Sequence, residues 1–433
     1  MTYKHFFAVI LGSFLLIFLP AQIFGQTTPK TFVYGDLLPD APELAARGEY
    51  AVGVQTLDLL NKNQLNILNY GKGGDSLYNR PLKIEVWYPA NAVGTDLISY
   101  DEVMGQNGSP TRPIIPFTFL GRATRNSKPV SSAGSFPLVI VSHGYTGSRY
   151  LMTYLTENLA SKGYVVVAID HTEATFKDAA GFQSTLLNRS LDDLFVLNEI
   201  ARMSKQADSF LNGLVDSDNS ALIGYSMGGY GAINVVGAGY SPQASQLFGS
   251  ITSGSKALEK RTIGNPEFQA SIDHRIKVVV AFAPWGMQRG VWNAEGLAGI
   301  KIPSLFIAGS KDDISGYEDG TKAIYEGAVN SDRILLTYID ARHNTAPNPP
   351  PAEALEAGRP IDEYLRYADS VWDMRRINNI NQHFVTAFLG IHLKGKEDYK
   401  PYLYLTEEAK MKVWPGFKPR TSIGLELDHQ SAN

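Results

Sequence analysis

An α/β protein built on one mostly parallel sheet of about eight strands is what this sequence predicts, and three observations predict it. Short runs rich in Val, Ile and Leu recur at residues 82–88, 136–141, 164–169, 221–225, 277–283, 304–308 and 334–339. Most are apolar at nearly every position, as strands covered on both faces are. Helical spacings lie between them, with Leu151, Leu155 and Leu159 at steps of four and Leu191, Leu194, Leu197 and Ile200 at steps of three. Strand, helix, strand in repetition means parallel pairing with helices on both faces of the sheet. The composition suits a large packed core: 433 residues, 44% hydrophobic and 19% charged.

Taken in order, the chain opens with Lys4 in a short polar start, then a nearly uninterrupted apolar run over residues 6–24, then the polar stretch Gln26-Thr27-Thr28. That is the pattern of a cleavable export signal, residues 1–25, cut near Gly25. An uncleaved anchor is the competing reading, because the run is nearly long enough to span a bilayer; Pro20 breaks it early and favours cleavage. Either way the bulk of the protein is expected outside the cytoplasm, periplasmic or secreted. No later segment approaches about 18 uncharged apolar residues, so no membrane span is expected after signal cleavage. Residues 50–60 read as a further edge strand. Residues 96–135, rich in Gly, Pro, Ser and Arg without periodicity, read as a long surface insertion. After His343 comes Pro347-Asn348-Pro349-Pro350-Pro351, a stiff connector into a C-terminal extension, residues 346–433, with Ile377, Ile380, Phe384 and Phe388 on one helical face. Residues 26–433 are therefore expected to form a single domain.

Charge and composition remove several function classes. The 39 basic and 43 acidic side chains give a net charge of -4, with no basic block to track a nucleic acid. Zero cysteines exclude disulfides, thiolate metal sites and a cysteine nucleophile. Any covalent nucleophile must be another residue type.

The sequence offers a serine. Gly224-Tyr225-Ser226-Met227-Gly228 has the form G-x-S-x-G, directly after the strand at 221–225 and before a helical stretch. On such a sharp strand-to-helix turn the serine is held clear of the sheet, and glycines on either side avoid collisions across the turn. A nucleophilic serine needs a histidine base, and the base needs a carboxylate to fix its tautomer. In this architecture acid and then base should follow the serine. His343 stands just after the strand at 334–339, where loops at the C-terminal ends of parallel strands converge. His274, His383, His392 and His429 read as packing, loop or tail residues. For the acid, Gly309-Ser310-Lys311-Asp312-Asp313 closes the strand at 304–308; Asp312 and Asp313 both qualify by position, and Asp340 is a weaker candidate. Two N–H donors must face the developing oxyanion. One should be Met227, after the nucleophile, and the other the backbone of Tyr145 in the loop Ser142-His143-Gly144-Tyr145-Thr146-Gly147. His143 reads as a support of that loop, and Asp170-His171-Thr172-Glu173 as a polar rim rather than a crowded metal cluster.

Together, Ser142-His143-Gly144-Tyr145-Thr146-Gly147, Leu159 through Val166 (LASKGYVV) and Gly224-Tyr225-Ser226-Met227-Gly228-Gly229 resemble the α/β-hydrolase superfamily. Within it the chain resembles the platelet-activating-factor acetylhydrolase-like esterases, through Arg80-Pro81-Leu82-Lys83-Ile84-Glu85-Val86-Trp87-Tyr88-Pro89, which is also similar to dienelactone-hydrolase relatives. It resembles the bacterial cutinase and polyester-hydrolase lipases through Ala283-Pro284-Trp285, residues 309–312 and residues 340–344. The resemblance spans about residues 80 to 345. It implies the α/β-hydrolase fold, Ser226 as nucleophile, Asp312 as the triad acid, His343 as base, and Tyr145 with Met227 as oxyanion donors. The acetylhydrolase branch places its acid after the strand at 277–283, where this chain has Ala283-Pro284-Trp285 and no carboxylate; the cutinase pattern supplies it one strand later.

The function expected is an exported serine esterase acting on a small-molecule or lipid-like ester, short-chain or acetyl esters favoured, with Tyr145 and Trp285 flanking the substrate and no metal or organic cofactor required. The alternatives are a lipase or cutinase-like polyester hydrolase, a serine peptidase or acyltransferase on the same fold, and an exported binding module that keeps the turn for structure alone.

Overall fold

The computed structural model describes residues 32–73, 76–91, 97–130 and 134–433. The expected export signal, residues 1–25, lies outside the described residues. Among the described residues no helix is long and apolar enough to cross a membrane.

Val33–Asn433 folds as one unit around a sheet whose strands are β1 (Ala51–Leu65), β2 (Leu77–Ala90), β5 (Thr124–Arg125), β6 (Phe136–Ser142), β7 (Val165–Asp170), β8 (Val215–Tyr225), β9 (Ile276–Phe282), β10 (Ser304–Gly309), β11 (Arg333–Tyr338) and β12 (Leu425–Gln430). Two more strands, β3 (Ile98–Met104) and β4 (Ile115–Gly121), pair with each other as a separate hairpin. The order across the large sheet is β12-β11-β10-β9-β8-β6-β7-β2-β1-β5. From β7 to β11 all neighbours are parallel. The flanks β2 and β12 run antiparallel to their inner neighbours. The sheet thus has ten strands where the sequence predicts about eight; the additions are the two-residue β5 and the C-terminal β12, at opposite edges.

Every central strand feeds two cores, because successive side chains of a strand face opposite ways. In β6, Val139 and Val141 belong to one buried cluster and Leu138 and Ile140 to the other. The first face is covered by α1 (Thr153–Ser161) and by the C-terminal helix Met374–Lys394. In that long helix Ile377, Ile380, Phe384 and Phe388 are all buried, each contributing about 2 kcal/mol through removal from water. Asp373 caps its start by accepting the Arg375 N–H, and Gly395 ends it at φ 63°, the left-handed conformation glycine adopts without penalty. The second face is covered by α2 (Phe182–Met203) and α3 (Met227–Val235).

One expectation changes, and α2 packs on a face that its leucine spacing does not mark. The segment 96–135 is not simply a surface insertion: in the β3–β4 hairpin Tyr100, Met104, Phe117 and Phe119 are buried in the first core. In α2 the leucine stripe is not the innermost face. Leu191 and Leu194 are half-buried, whereas Arg189, Asp192 and Asp193 are fully buried beside Leu197 and Ile200. A helix with so polar an inner face needs charged partners on the sheet, and those partners lie behind the site.

Candidate active site

The C-terminal ends of β6, β8, β10 and β11 bring the predicted residues together. Ser226 caps α3 at φ 52°, ψ -112°, a conformation side chains rarely adopt, and the surrounding backbone enforces it. The turn is as tight as the glycine pattern requires. A Cβ on Gly228 would lie 1.9 Å from the Ser142 carbonyl oxygen, and one on Gly224 2.3 Å from the Gly228 carbonyl oxygen. Ser226 Oγ and His343 Nε2 are 3.0 Å apart. On the other side of the ring, His343 Nδ1 lies 2.9 Å from Asp312 Oδ2 and 3.0 Å from Oδ1.

Asp312 is fixed in turn, accepting the backbone N–H groups of Ile314 and Ser315 at 2.9 Å each, and it is buried. The two neighbouring aspartates have different surroundings. Asp313 is exposed and pairs with Arg342, whose Nε donates over 3.1 Å. Asp340, at φ 61°, is exposed, and its N–H donates to Ser310 Oγ. The imidazole of His343 packs on the Tyr225 ring with centroids 5.3 Å apart; the Tyr225 hydroxyl donates to Asn344 Oδ1 at 3.0 Å, tying both to one loop.

The loop after β6 faces Ser226. Gly144 lies against the Tyr225 ring, where a Cβ would come within 3.0 Å of it. Among the described residues, the N–H groups of Tyr145 and Met227 donate no hydrogen bond within the chain, so both stand available to an incoming oxygen. The Tyr145 hydroxyl donates to the Ala180 carbonyl, and its ring meets Phe182 edge-on. Trp285 is placed differently from the expectation. Its N–H donates to the Ser226 carbonyl at 3.1 Å, which braces the turn, but its ring packs on Phe182 and Tyr230 and is not part of the cleft wall.

Behind the loop lies a buried polar network that the sequence reading missed. His143 Nδ1 is 2.6 Å from the Gly144 carbonyl and its Nε2 accepts the His171 N–H, so the ring ties its own loop to the chain after β7. His171 joins Ser142 Oγ at 2.8 Å to Asp192 Oδ2 at 3.0 Å. Arg80 closes the network with two bonds to Asp192, of 2.8 and 2.9 Å, and an ion pair to Glu173. Arg189 donates to the carbonyls of His143 and Gly144. The signal was present in the sequence as Arg189, Asp192 and Asp193, spaced three and four apart on one helical face. Asp170 is bound by Arg149, so the four-residue rim at 170–173 is engaged with arginines and Asp192.

These buried groups set an acid limit on stability. Burial, with Arg189 nearby, lowers the His171 pKa to about 3, and burial, with Lys162 nearby, does the same for His383 in the C-terminal helix. Burial raises Asp192, but Arg80 and His171 outweigh it and bring it to about 2. An unfolded histidine takes up its proton near pH 6.5. The stability these two provide is therefore complete above that pH and is lost as pH falls, by about 2 kcal/mol each at about pH 5. Asp192 adds a loss only below about pH 4. Burial raises the Glu102 carboxyl to about 7, which acts in the opposite sense over the same range, so the histidine contribution is read as a difference. The midpoint of the parent minus that of His383→Gln should fall as pH drops from about 7 to about 5, and an unchanged difference would show that this imidazole is not held neutral.

Ser226 and His343 open onto a cleft of about 350 Å³. Its walls include Tyr145, Leu151 and Ile314, with Arg112 from the segment before β4 and Asp362, Leu365, Arg366 and Ala368 from the C-terminal extension. The two additions to the core thus form the mouth. Glu363 locks them together, accepting the Arg112 Nε–H at 2.5 Å and the Gly105 N–H at 3.0 Å.

Residues 122–246, which include Ser226, match a family model described as PET hydrolase-like. The chain is 26% identical over 216 residues to Cutinase 2 of Thermobifida cellulosilytica, covering 50% of this chain and 63% of that one. It is equally similar to Cutinase cut1 of Thermobifida fusca, covering 52% of it, and 25% identical over 215 residues to the bis(hydroxyethyl) terephthalate hydrolase of Streptomyces coelicolor. It therefore spans less than two thirds of the curated relatives it matches. Among solved structures, a ferulic acid esterase from Streptomyces cinnamoneus superposes with a TM-score of 0.53 at 19% identity, over 82% of this chain and 94% of that one. The fold is that of an α/β-hydrolase, and the matched region is cutinase-like and polyester-hydrolase-like.

Proposed function

We propose that this chain is an exported serine hydrolase that cleaves carboxylic esters. The observation that carries the reading is the continuous hydrogen-bond path from Ser226 Oγ through His343 to Asp312, with steps of 3.0 and 2.9 Å. His343 takes the Ser226 proton as the oxygen attacks the ester carbonyl, Asp312 stabilises the imidazolium, and the N–H groups of Tyr145 and Met227 hold the oxyanion. The protonated His343 then passes its proton to the departing alcohol, leaving an acyl-enzyme. A water, deprotonated by the same histidine, releases the acid. Export rests on residues 1–25 with their charged start and apolar run.

Short acyl chains are favoured because the mouth is walled by Arg112, Leu365 and Arg366, which belong to the two additions. A polyester substrate is the second reading, supported by the PET hydrolase-like match and the cutinase relatives. Hydrolysis of p-nitrophenyl esters from acetate to palmitate separates the two. A rate that peaks at acetate or butyrate fits the walled mouth, and one that rises toward longer chains fits the lipase or cutinase side. No turnover of any ester, with no labelling of Ser226 by a phosphonate probe, would sink the esterase reading.

A further inference from the structure

We propose that the cleft selects esters carrying a free carboxylate and that Arg366 is the residue that receives it. The proposal rests on the ester-hydrolase reading above and adds a substrate class to it. Three arginines, Arg112, Arg342 and Arg366, line the cavity that holds Ser226, against two carboxylates, Asp313 and Asp362. Two of the arginines have carboxylate partners already: Arg342 is paired with Asp313 and Arg112 with Glu363. Arg366 is in no ion pair among the described residues. Its Nη1 reaches only Thr146, the hydroxyl at 3.2 Å and the carbonyl at 3.4 Å. Its buried Nε has no partner, and neither does the buried Nη2 of Arg112.

A guanidinium has five N–H donors in a fork that fits a carboxylate through two parallel bonds. A charge-assisted pair with a carboxylate in the cavity is stronger than the neutral contacts to Thr146 that Arg366 makes. The surroundings of Arg366 do not compensate it. The charged and titratable groups around it are Arg112, Glu363, Tyr367, Tyr225 and Tyr145; burial and then Arg112 lower its pKa, and Glu363 offsets only part of that. Glu363 is engaged by Arg112 and the Gly105 N–H. The guanidinium also sits over the Phe176 ring at 5.7 Å, which holds its plane. Because Thr146 follows Tyr145, a carboxylate bound by Arg366 lies beside the loop that faces Ser226, within one small cavity of the ester being cleaved.

The test compares matched esters that release the same p-nitrophenolate: the mono-esters of adipic and suberic acid, each with one free carboxylate, and the neutral hexanoate and octanoate. The full chain should favour the acid-bearing member of each pair by about tenfold or more in kcat/KM, the range expected for a charge-assisted bidentate contact. Arg366→Gln should bring that ratio close to one, Arg366→Lys should keep part of it, and added salt should reduce it in the parent chain. A parent chain that cleaves the neutral esters through Ser226 without preferring their acidic partners overturns the proposal and leaves the esterase reading standing. So does an Arg366→Gln variant that lowers both members equally, since Arg366 would then act only by holding Thr146. Absence of turnover together with absence of phosphonate labelling at Ser226 overturns both.

Discussion

Ser226→Ala should lower kcat for a short-chain p-nitrophenyl ester by about 10⁵-fold, the scale of loss when a triad nucleophile is removed. The fold should survive, because the strained turn is imposed by neighbours and not by the hydroxyl. Gly224, Gly228 and Gly144 allow the close approach, and the backbone bonds Ser226 N–H to Phe282 O and Tyr230 N–H to Ser226 O are untouched. A thermal midpoint near that of the parent would separate lost chemistry from lost structure. His343→Ala should cost about as much, and the double variant scarcely more, since the two residues act as one unit. Ser226→Ala retaining more than about a hundredth of parental activity would place the nucleophile elsewhere.

Asp312→Asn should lower kcat by about 10⁴-fold through a different route. In the parent the carboxylate accepts three donors: the His343 Nδ1–H and the backbone N–H groups of Ile314 and Ser315. An asparagine has one acceptor oxygen, and the two backbone N–H groups hold it. Its amide NH₂ must then face His343 Nδ1, which can only accept if the imidazole proton moves to Nε2. In that tautomer the ring can no longer take the proton of Ser226. The neighbouring Asp313→Asn should change kcat by less than about threefold, because that carboxylate is exposed and paired with Arg342. Measuring both variants at one pH decides between two adjacent aspartates; equal losses would sink the assignment of the acid to Asp312.

The separation of these aspartates shows where the sequence stops being informative. The strands that carry Ser226, Asp312 and His343 are legible because each is a run of apolar residues buried on both faces, and a reactive side chain just past such a run has few places to go. Which of two consecutive carboxylates turns inward depends on a local turn, here the capture of Asp312 by two backbone N–H groups, and hydropathy carries no trace of it. The β3–β4 hairpin was hidden for another reason. It does alternate, but Glu102 occupies a buried position between Tyr100 and Met104, so the inward row reads as polar at its centre. Strand β12 has only Leu425 and Leu427 facing inward among acidic neighbours, too short a pattern to separate from a loop. The inner face of α2 carries charges balanced from β2, by Arg80, more than a hundred residues away in sequence, so no local pattern announces its burial. Trp285 is expected beside the substrate as an aromatic ring near the site; its ring packs on Phe182 and Tyr230, and Phe182 stands between it and Tyr145.

The junction made by Glu363 has a consequence for how such a protein can be altered. Ser226, Asp312 and His343 stand in turns just past strands of the central sheet, whereas the rim is contributed by two stretches far apart in the chain that clasp each other through Glu363, Arg112 and the Gly105 N–H, and through the Phe117 and Tyr367 rings, 6.1 Å apart. Neither stretch is a free-standing cassette. Transplanting one without its mate would strand a carboxylate or a guanidinium inside the rim, so a graft intended to change what the cleft accepts must carry both halves and would leave the central sheet as it is.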